Sequence, residues 1–218
     1  MNKLYSIKLF SLALILLFFS ACGLSSKPYP LVRTFTLDLP MPQDTNPITE
    51  STKPRATIMI LTAPPPAAYE SKKMVYKMAS QELAADFYNE YYAPPTRAVA
   101  DSFAKYLEYN NRHYHFIRSQ GVSPPDYALE ITVLDFYGDR TIPDTLIAHI
   151  ALSITLTDLR GTNSRLVFTR NYIREVPAGA PIDANSRPAA LAKAMVTGLS
   201  EIMGELEAEL RTSLRGRS

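Results

Sequence analysis

Two long strand-like segments flank the polar stretch DLRGTNS, and this arrangement constrains the fold more than any other feature of the chain. The first segment is residues 146–156 (LIAHIALSITL), and the second is residues 166–176 (LVFTRNYIREV), whose alternation is irregular. The stretch between them contains Gly161 and Asn163, which are typical of hairpin loops. The sequence therefore predicts a long β-hairpin, whose two strands must run antiparallel.

Further strands are predicted closer to the N-terminus. Residues 33–39 (RTFTLDL) and residues 127–133 (YALEITV) alternate between apolar and polar side chains, which is typical of a strand with one buried face. Residues 56–62 (ATIMILT) are apolar on both faces, and this pattern favours a central strand. Residues 113–118 (HYHFIR) indicate one more short strand.

A second hairpin is predicted between the early strands and the first helix. Residues 74–78 alternate, Ser80 and Gln81 could form the turn, and residues 82–88 could form the returning strand. The segment ELAAD would also suit a helix, so the pattern leaves that alternative open.

Two helices complete the predicted architecture. Residues 96–110 carry one apolar stripe and follow Pro95, whose missing N–H costs nothing in a first helical turn. Ser186 is a suitable N-cap for a longer helix over residues 187–214. The apolar seam of that helix consists of Leu191, Met195, Leu199, Ile202, Leu206, Leu210 and Leu214. The predicted fold class is α+β, with two layers: a mostly antiparallel sheet and two main helices packed on one face of it.

The first 22 residues have the pattern of a bacterial signal peptide that ends in a lipidation site. Lys3 and Lys8 precede an apolar run over residues 9–19, which is shorter than the ~20 residues of a membrane-spanning helix. The run ends in FSAC, which resembles the bacterial lipobox, and Cys22 is the only cysteine of the chain. Residues 1–21 are therefore predicted to be a signal peptide. The alternative is an ordinary signal peptide followed by a chance cysteine.

Covalent acylation of Cys22 would place the chain in the cell envelope. Palmitate-type acyl chains contribute ~0.8 kcal/mol per buried methylene, which holds a di- or triacylated protein on a membrane. Gly23 follows the cysteine in place of Asp, and this favours the periplasmic face of the outer membrane in Gram-negative sorting. Residues 22–32 would then form a lipidated tether, and residues 33–218 a single domain.

The charge balance and the scarcity of chemical motifs exclude several function classes. Lys3 and Lys8 account for the net charge of +2, so the chain from Cys22 onward is neutral. A nucleic-acid-binding protein would need a clustered basic face. The phosphate-binding, zinc-protease and nucleophile-elbow motifs are missing from the sequence. We therefore predict neither an enzyme nor a nucleic-acid-binding protein, and no cofactor other than the lipid on Cys22.

No metal site is predicted either, although five residues invite the question. His113 and His115 would share one face of a strand, but no third ligand clusters with them. Asp135 and Asp139 lack the spacing of a calcium loop, and a turn explains them better. His149 is expected to face the polar side of its strand, or to find a backbone partner.

Several aromatic residues crowd the segment before Pro94. Tyr88, Tyr91 and Tyr92 follow Phe87, and successive residues of an extended segment face opposite sides, so they cannot all be buried. One ring is expected to pack under the first helix. The surplus rings are expected to be partly exposed, either at the rim of the core or as a contact for a partner protein.

The order of several weak motifs gives the whole mature chain a family resemblance. The motifs are the lipobox, TFTLDLP (34–40), MVYKM (74–78), NEYYAPPTRAVADSFAKYL (89–107), YALEITVLDF (127–136) and SRLVFTRNYIREVP (164–177). In this order the chain resembles the ABC-type transport auxiliary lipoprotein family, which contains the PqiC-like lipoproteins. The family commonly has Trp before the proline, whereas this chain has Tyr91 and Tyr92 there and no Trp.

The resemblance implies a function that the residues alone do not show. It implies a non-catalytic auxiliary subunit of an Mce-type ABC system that moves lipids between the two membranes. The implied partners are the Mce-domain protein and the ABC permease and ATPase, and self-association into a homo-oligomer is compatible with this role. Two alternatives remain: an assembly factor of another outer-membrane machine, such as a lipopolysaccharide exporter or a pilus, and a membrane-anchored hydrolase.

Overall fold

Eight strands and two main helices follow one another in the predicted order. The computed structural model describes residues 31–41, 55–110, 114–119, 124–179, 183 and 185–215. The chain divides into two compact units, residues 1–31 and 32–218, and the elements below belong to the second. They are β1 (Arg33–Phe35), β2 (Ala56–Thr62), a 3-10 turn (Ala67–Tyr69), β3 (Lys73–Met78), β4 (Leu83–Tyr91), α1 (Pro95–Asn110), β5 (Tyr114–Ile117), β6 (Tyr127–Arg140), β7 (Ile147–Asp158), β8 (Arg165–Pro177) and α2 (Arg187–Leu214).

The sheet forks at β6. One edge of β6 pairs along its whole length with β7, which in turn pairs with β8. The other edge pairs with β2 over Tyr127–Ile131 and with β3 over Gly138–Arg140, so two branches leave the same strand. One branch continues from β2 to β5, and the other continues from β3 through β4 to β1.

The fold class is α+β, as predicted, and the sheet is mixed in direction. The two longest pairings, β6–β7 and β7–β8, are antiparallel and include the predicted hairpin. The β3–β4 hairpin is antiparallel as well, and Gln81 in its turn has a positive φ of 65°. The remaining pairings among the described strands, β1–β4, β2–β5, β2–β6 and β3–β6, are parallel, and each joins two strands that a long connection separates.

The two helices pack side by side on one face of the sheet. α1 contacts β2, β5 and β6, α2 contacts β7 and β8, and the helices contact each other. The predicted apolar seam of α2 is buried at every position from Leu191 to Leu214. In α1, Val99, Phe103 and Leu107 are fully buried.

The other face of the sheet is polar near β7 and β8. Thr155 and Thr169 lie opposite each other, with their hydroxyl oxygens 3.1 Å apart. The imidazole of His149 stacks on the Tyr137 ring at 4.6 Å, and its Nδ1 lies 3.3 Å from Oε1 of Glu175. The prediction that His149 faces the polar side is therefore confirmed, although its partners are side chains.

β6 is longer than predicted, and the turn proposed at Asp135 is wrong. Asp139 does have a turn role, because its carboxylate accepts the backbone N–H of Thr141 at 2.8 Å at the start of the loop after the strand. Both aspartates lie within β6, which continues to Arg140 through a bulge between Val133 and Asp135. The sequence around Gly138 suggested a turn because glycine is common in turns. A Cβ at Gly138 would lie 2.9 Å from Leu191 of α2, so the strand needs a glycine where the helix crosses it.

Two further local differences from the sequence expectations have clear causes. A bulge at Leu156/Thr157 shifts the β7–β8 pairing, which explains the irregular alternation of β8. Ser186 makes no side-chain cap to α2. The carboxylate of Asp183 accepts the backbone N–H of Ser186 at 2.9 Å instead, and so holds the turn before the helix.

Two glycines of α2 give a matched test of the packing of this helix. A Cβ at Gly198 would lie 2.8 Å from Cδ1 of Ile150 and 3.2 Å from Cγ2 of Val176, whereas Gly204 has open space. We expect Gly198→Leu to lower the free energy of unfolding by about 1–3 kcal/mol through overpacking. Gly204→Ala should raise it by about 0.5–1 kcal/mol. Urea denaturation measures both, and equal stabilities would show that α2 does not lie this close to the sheet.

β1 is shorter than predicted, but its alternation continues beyond the strand. Leu37 and Leu39 are buried although only Arg33–Phe35 pair with β4. The hydroxyl of Ser102 in α1 accepts the buried N–H of Leu39 at 2.9 Å, which replaces a strand partner. This contact fastens the N-terminal segment to the first helix.

The Ser102 hydroxyl is therefore expected to matter for stability. Ser102→Ala leaves a buried N–H unpaired, so the free energy of unfolding should fall by about 1–3 kcal/mol. Ser200→Ala is the matched control, since that hydroxyl donates only to Val196 of its own helix. Thermal denaturation should separate the two variants, and similar melting temperatures would contradict the role of Ser102.

Candidate contact surface

The aromatic segment before α1 contains a wide bulge in β4. Val75 pairs with Ala85 and Lys73 pairs with Glu90, so residues 86–89 lie opposite a single residue of β3. The carboxylate of Asp86 accepts the backbone N–H groups of the two residues that follow Phe87, at 2.9 and 3.0 Å. Bulges of this kind re-aim side chains, and here the bulge turns two rings outward.

Phe87 and Tyr88 form an exposed aromatic pair on this bulge. Their rings meet edge to face with centroids 5.1 Å apart, while 68% of Phe87 and 44% of Tyr88 remain exposed. The ammonium group of Lys73 lies 5.2 Å from the centroid of the Phe87 ring. The backbone turn holds this exposed pair of rings in place. The pair is therefore a rigid apolar contact surface.

Tyr91 is the one ring of the segment that belongs to the core. Only 1% of it is exposed, and it meets the Phe136 ring edge to face at 5.5 Å. Burial raises the pKa of its hydroxyl far above the usual range. One aromatic of the segment is buried and the others are exposed, as expected, whereas its packing under the first helix stays a prediction. Tyr91 itself is removed from the candidate partner contacts, because it presents no surface.

Tyr92 is the most exposed tyrosine of the segment and borders a groove. It is 76% exposed, yet its backbone is held, since its N–H donates to the carbonyl of Phe35 at 2.8 Å. The groove has a volume of about 220 Å³ and lies between the segment after β1 and α1. Its lining includes Phe35, Leu37, Asp38, Ala98, Ser102 and Arg118.

The charged rim of this groove is internally paired. The ammonium of Lys105 lies 2.9 Å from Asp38, and the guanidinium of Arg118 lies 3.0 Å from Asp101. The hydrogen bond from Lys105 holds the pKa of the Asp38 carboxyl below its usual range. Exposed ion pairs of this kind add little stability. Because their charges are paired with each other, the rim of the apolar groove is neutral. Such a groove suits a protein segment.

The structure describes only some of the other predicted site residues. Cys22, the signal peptide and most of the tether lie outside the described residues, and so does His113. His115 is exposed on β5. In residues 31–41, 55–110, 114–119, 124–179, 183 and 185–215, no three potential ligands cluster around a metal position. No helix within those same ranges is long and apolar enough to cross a membrane.

Sequence reasoning missed the bulge that exposes Phe87 and Tyr88. A signal was present, because Asp86 and Asn89 favour local hydrogen bonds to the backbone and are uncommon inside regular strands. Without the register of β3 against β4, however, these residues do not reveal which rings face outward.

The comparisons with known proteins bear on the fold. No protein-family model and no curated protein matches the chain. Among solved structures, protein XCC0632 from Xanthomonas campestris, of family DUF330, has a TM-score of 0.62 and 19% identity over 84% of this chain and 95% of that one. The chain shares that fold. A crystal structure described as an uncharacterized protein has a TM-score of 0.57 and 14% identity, over 81% of this chain and 99% of that one.

A more distant likeness is to lipoprotein GNA1162 from Neisseria meningitidis. It has a TM-score of 0.33 and 12% identity, over 67% of this chain and 99% of that one. That score is too low to support an argument about this chain. The similarities to XCC0632 and to the uncharacterized protein extend over most of each chain and concern the fold alone.

Proposed function

We propose that this protein is a lipid-anchored envelope lipoprotein that acts as a non-catalytic auxiliary subunit of an Mce-type ABC system moving lipids between the membranes. The observation that carries the proposal is Cys22, the only cysteine, placed at the end of a signal-like sequence in FSAC. The order of the family-like motifs supports the auxiliary role, and the shared fold with XCC0632 is compatible with it. The anchor lies in the outer membrane and faces the periplasm.

The groove beside Tyr92 is the proposed contact for the Mce-domain partner. It combines an exposed ring, apolar walls and a rim whose charges are already paired, so docking a protein segment there leaves few charges unpaired. The groove lies at the C-terminal end of β4, where β1 pairs with the last three residues of that strand.

The anchor is tested by Cys22→Ala. We expect the unmodified protein to partition into the detergent phase and the membrane fraction, and Cys22→Ala to move to the aqueous phase, because the acyl chains supply the membrane affinity. Ser25→Ala is the matched control and should behave as the unmodified protein. The mass of the mature N-terminal peptide reports the acyl chains directly. Membrane retention of Cys22→Ala would overturn the anchor.

The auxiliary role is tested separately by partner capture. The acylated protein should co-purify with an Mce-domain protein from the same cells, and its loss should impair lipid transport between the membranes. Capture of lipopolysaccharide-export or pilus components in its place would favour the assembly-factor alternative. Turnover of lipid or glycan substrates by the purified protein would favour the hydrolase.

A further inference from the structure

A small cavity lies where the end of β6, the loop that follows it and the start of α2 meet. It has a volume of about 100 Å³, and its walls come from Arg140, residues 142–146, Gly179 and Arg187. Arg140 is the last residue of β6, and Arg187 is the first residue of α2. A single water molecule needs only about 10–15 Å³ of such a space. The cavity can therefore hold a polar group of several heavy atoms.

Both arginines of this cavity are half buried without an anionic partner. Within the part of the chain that the structure describes, the guanidinium groups of Arg140 and Arg187 make no ion pair and no hydrogen bond. Arg174 is the other half-buried arginine of the described residues, and it pairs with Glu201 and Glu205 of α2. A guanidinium that is partly removed from water needs acceptors in return. The cavity therefore has two sets of unused donors.

The register of β6 explains why the two arginines lie on the same side of the sheet. Gly138 faces the helices, because a Cβ at that position would lie 2.9 Å from Leu191 of α2. Side chains two residues apart in a strand point to the same face, so Arg140 is directed to the helix side as well. Arg187 approaches the same place from the start of α2.

A buried hydroxyl next to the cavity also lacks a partner. Tyr76 of β3 pairs with Gly138, and a Cβ on that glycine would lie 2.9 Å from the Tyr76 ring and 3.0 Å from Leu146 of the cavity wall. The Tyr76 hydroxyl is buried, and the described residues offer it no hydrogen-bond partner. Buried polar groups without a partner are uncommon in folded proteins.

Electrostatics places this hydroxyl close to the same two arginines. Burial raises the pKa of Tyr76 to about 12, the Asp86 carboxylate adds to the rise, and Arg187 and Arg140 oppose it. The hydroxyl is therefore a neutral donor at neutral pH, and two cations lie within its electrostatic reach. The hydroxyl and the two guanidinium groups all lack the same kind of partner, which is a hydrogen-bond acceptor.

The walls of the cavity are held in place by their own hydrogen bonds. The hydroxyl of Thr145 donates to the carbonyl of Ile142 at 2.8 Å, within the loop between β6 and β7. The carbonyl of Leu146 accepts the N–H of Ala178 at 2.8 Å, which ties this loop to the segment after β8. A site that is formed in advance loses less conformational freedom when it binds a ligand.

The negative charges nearby do not neutralise the cavity. Asp144 is the one acidic residue among the described residues of the wall, so two guanidinium groups and one carboxylate leave a net positive charge. Asp183 lies before α2 and is exposed, and its carboxylate already accepts the backbone N–H groups of Asn185 and Ser186. The start of α2 is therefore occupied, and the attraction for an anion comes from the arginines.

We propose that Arg140 and Arg187 bind a phosphate group in this cavity. A guanidinium presents paired N–H donors that match the oxygen atoms of a phosphate, and two of them bind it better than one. Inorganic phosphate and the phosphodiester of a phospholipid headgroup both have this chemistry. The inference goes beyond the proposed function, because it requires neither the acyl chains on Cys22 nor the Mce-domain partner.

Isothermal titration calorimetry on the full acylated protein in dodecyl maltoside tests the site. The probes are inorganic phosphate, glycerophosphoglycerol, which is the water-soluble headgroup of phosphatidylglycerol, and glycerol as the neutral control. We expect at least one of the two phosphate compounds to bind and glycerol not to bind. Tighter binding of glycerophosphoglycerol would identify a lipid headgroup as the ligand, and tighter binding of inorganic phosphate would identify a free anion. Binding of neither compound would overturn the proposal.

Three arginine variants locate the binding in the cavity. Arg140→Gln and Arg187→Gln should each weaken binding by about tenfold or more, the usual effect of losing a charged hydrogen bond. Their melting temperatures should stay unchanged, because no ion pair is broken. Arg55→Gln is the matched control, since Arg55 is exposed just before β2, whose Ile58 pairs with the first residue of β6. Equal affinities in all three variants would overturn the site.

Asp144→Asn gives a second, independent test of the same cavity. Removal of the carboxylate from the wall should tighten phosphate binding several-fold, because a like charge is lost. The backbone should not change, since Asp144 has a positive φ of 58° that asparagine also tolerates. Unchanged or weaker binding by Asp144→Asn would place the phosphate elsewhere. Loss of phosphate binding with normal membrane anchoring and partner capture would remove this inference alone and leave the proposed function in place.

Discussion

Leu206→Asp should abolish accumulation of the folded protein. Leu206 is fully buried in the seam of α2, which packs on β7 and β8. The substitution removes a large apolar side chain and places a charge without a partner in the core. The two effects together should lower the free energy of unfolding by about 5 kcal/mol or more. Such a loss is comparable with the total stability of a domain. Immunoblotting of cell extracts should show degradation.

Gly204→Asp is the matched control for this substitution. It introduces the same charge two residues away, on the exposed side of the same helix, where a Cβ meets nothing within 4 Å. This variant should accumulate as the unmodified protein does. Normal abundance of Leu206→Asp with lost transport would contradict the core assignment and would place that face of α2 at a partner interface.

Tyr91→Ala should be strongly destabilising, although Tyr91 lies beside an exposed neighbour of the same type. Its ring is 1% exposed and packs against Phe136, so truncation leaves a large cavity between β4 and β6. We expect the free energy of unfolding to fall by about 3–5 kcal/mol, as for other buried aromatics. Chemical denaturation of the purified protein measures this loss.

Tyr92→Ala is the matched variant, and its expected effect is of a different kind. Because 76% of Tyr92 is exposed, its truncation should leave the melting temperature nearly unchanged. If the groove beside it binds the Mce-domain partner, co-purification should weaken by about tenfold or more, as for a central interface aromatic.

Two outcomes would contradict this division between the neighbouring tyrosines. Equal losses of stability in both variants would mean that Tyr92 is also part of the core. Normal partner capture per folded molecule by Tyr92→Ala would mean that the partner surface lies elsewhere. The second outcome would leave the anchor at Cys22 untouched, because that proposal rests on a separate part of the chain.

The elements that could be predicted are those whose patterns depend on neighbours in sequence. α2 begins at Arg187 and ends at Leu214 as predicted, because an apolar residue recurs at every third or fourth position. β2 spans Ala56–Thr62 as predicted, because an apolar run between prolines leaves few other structures open. That the aromatic segment cannot bury all of its rings followed from the alternation of an extended chain.

The elements that could not be predicted depend on partners distant in sequence. Gly138 is explained by Leu191, and nothing close to it in the sequence indicates that a helix crosses the strand there. The outward direction of Phe87 and Tyr88 depends on a register shift between β3 and β4. The same holds for the buried N–H of Leu39, which is satisfied by Ser102 of α1.

By itself the sequence determined the order of the elements, the faces that they bury and the single cysteine on which the proposed anchor rests. These are local properties, since side-chain periodicity and a short N-terminal pattern are independent of how distant segments meet. Only the tertiary structure decided that β6 carries two branches on one edge and that Tyr91 and not Tyr92 is buried. The physical reason is that register and strand pairing are set by burial summed over the whole core, and no window of the sequence contains that sum.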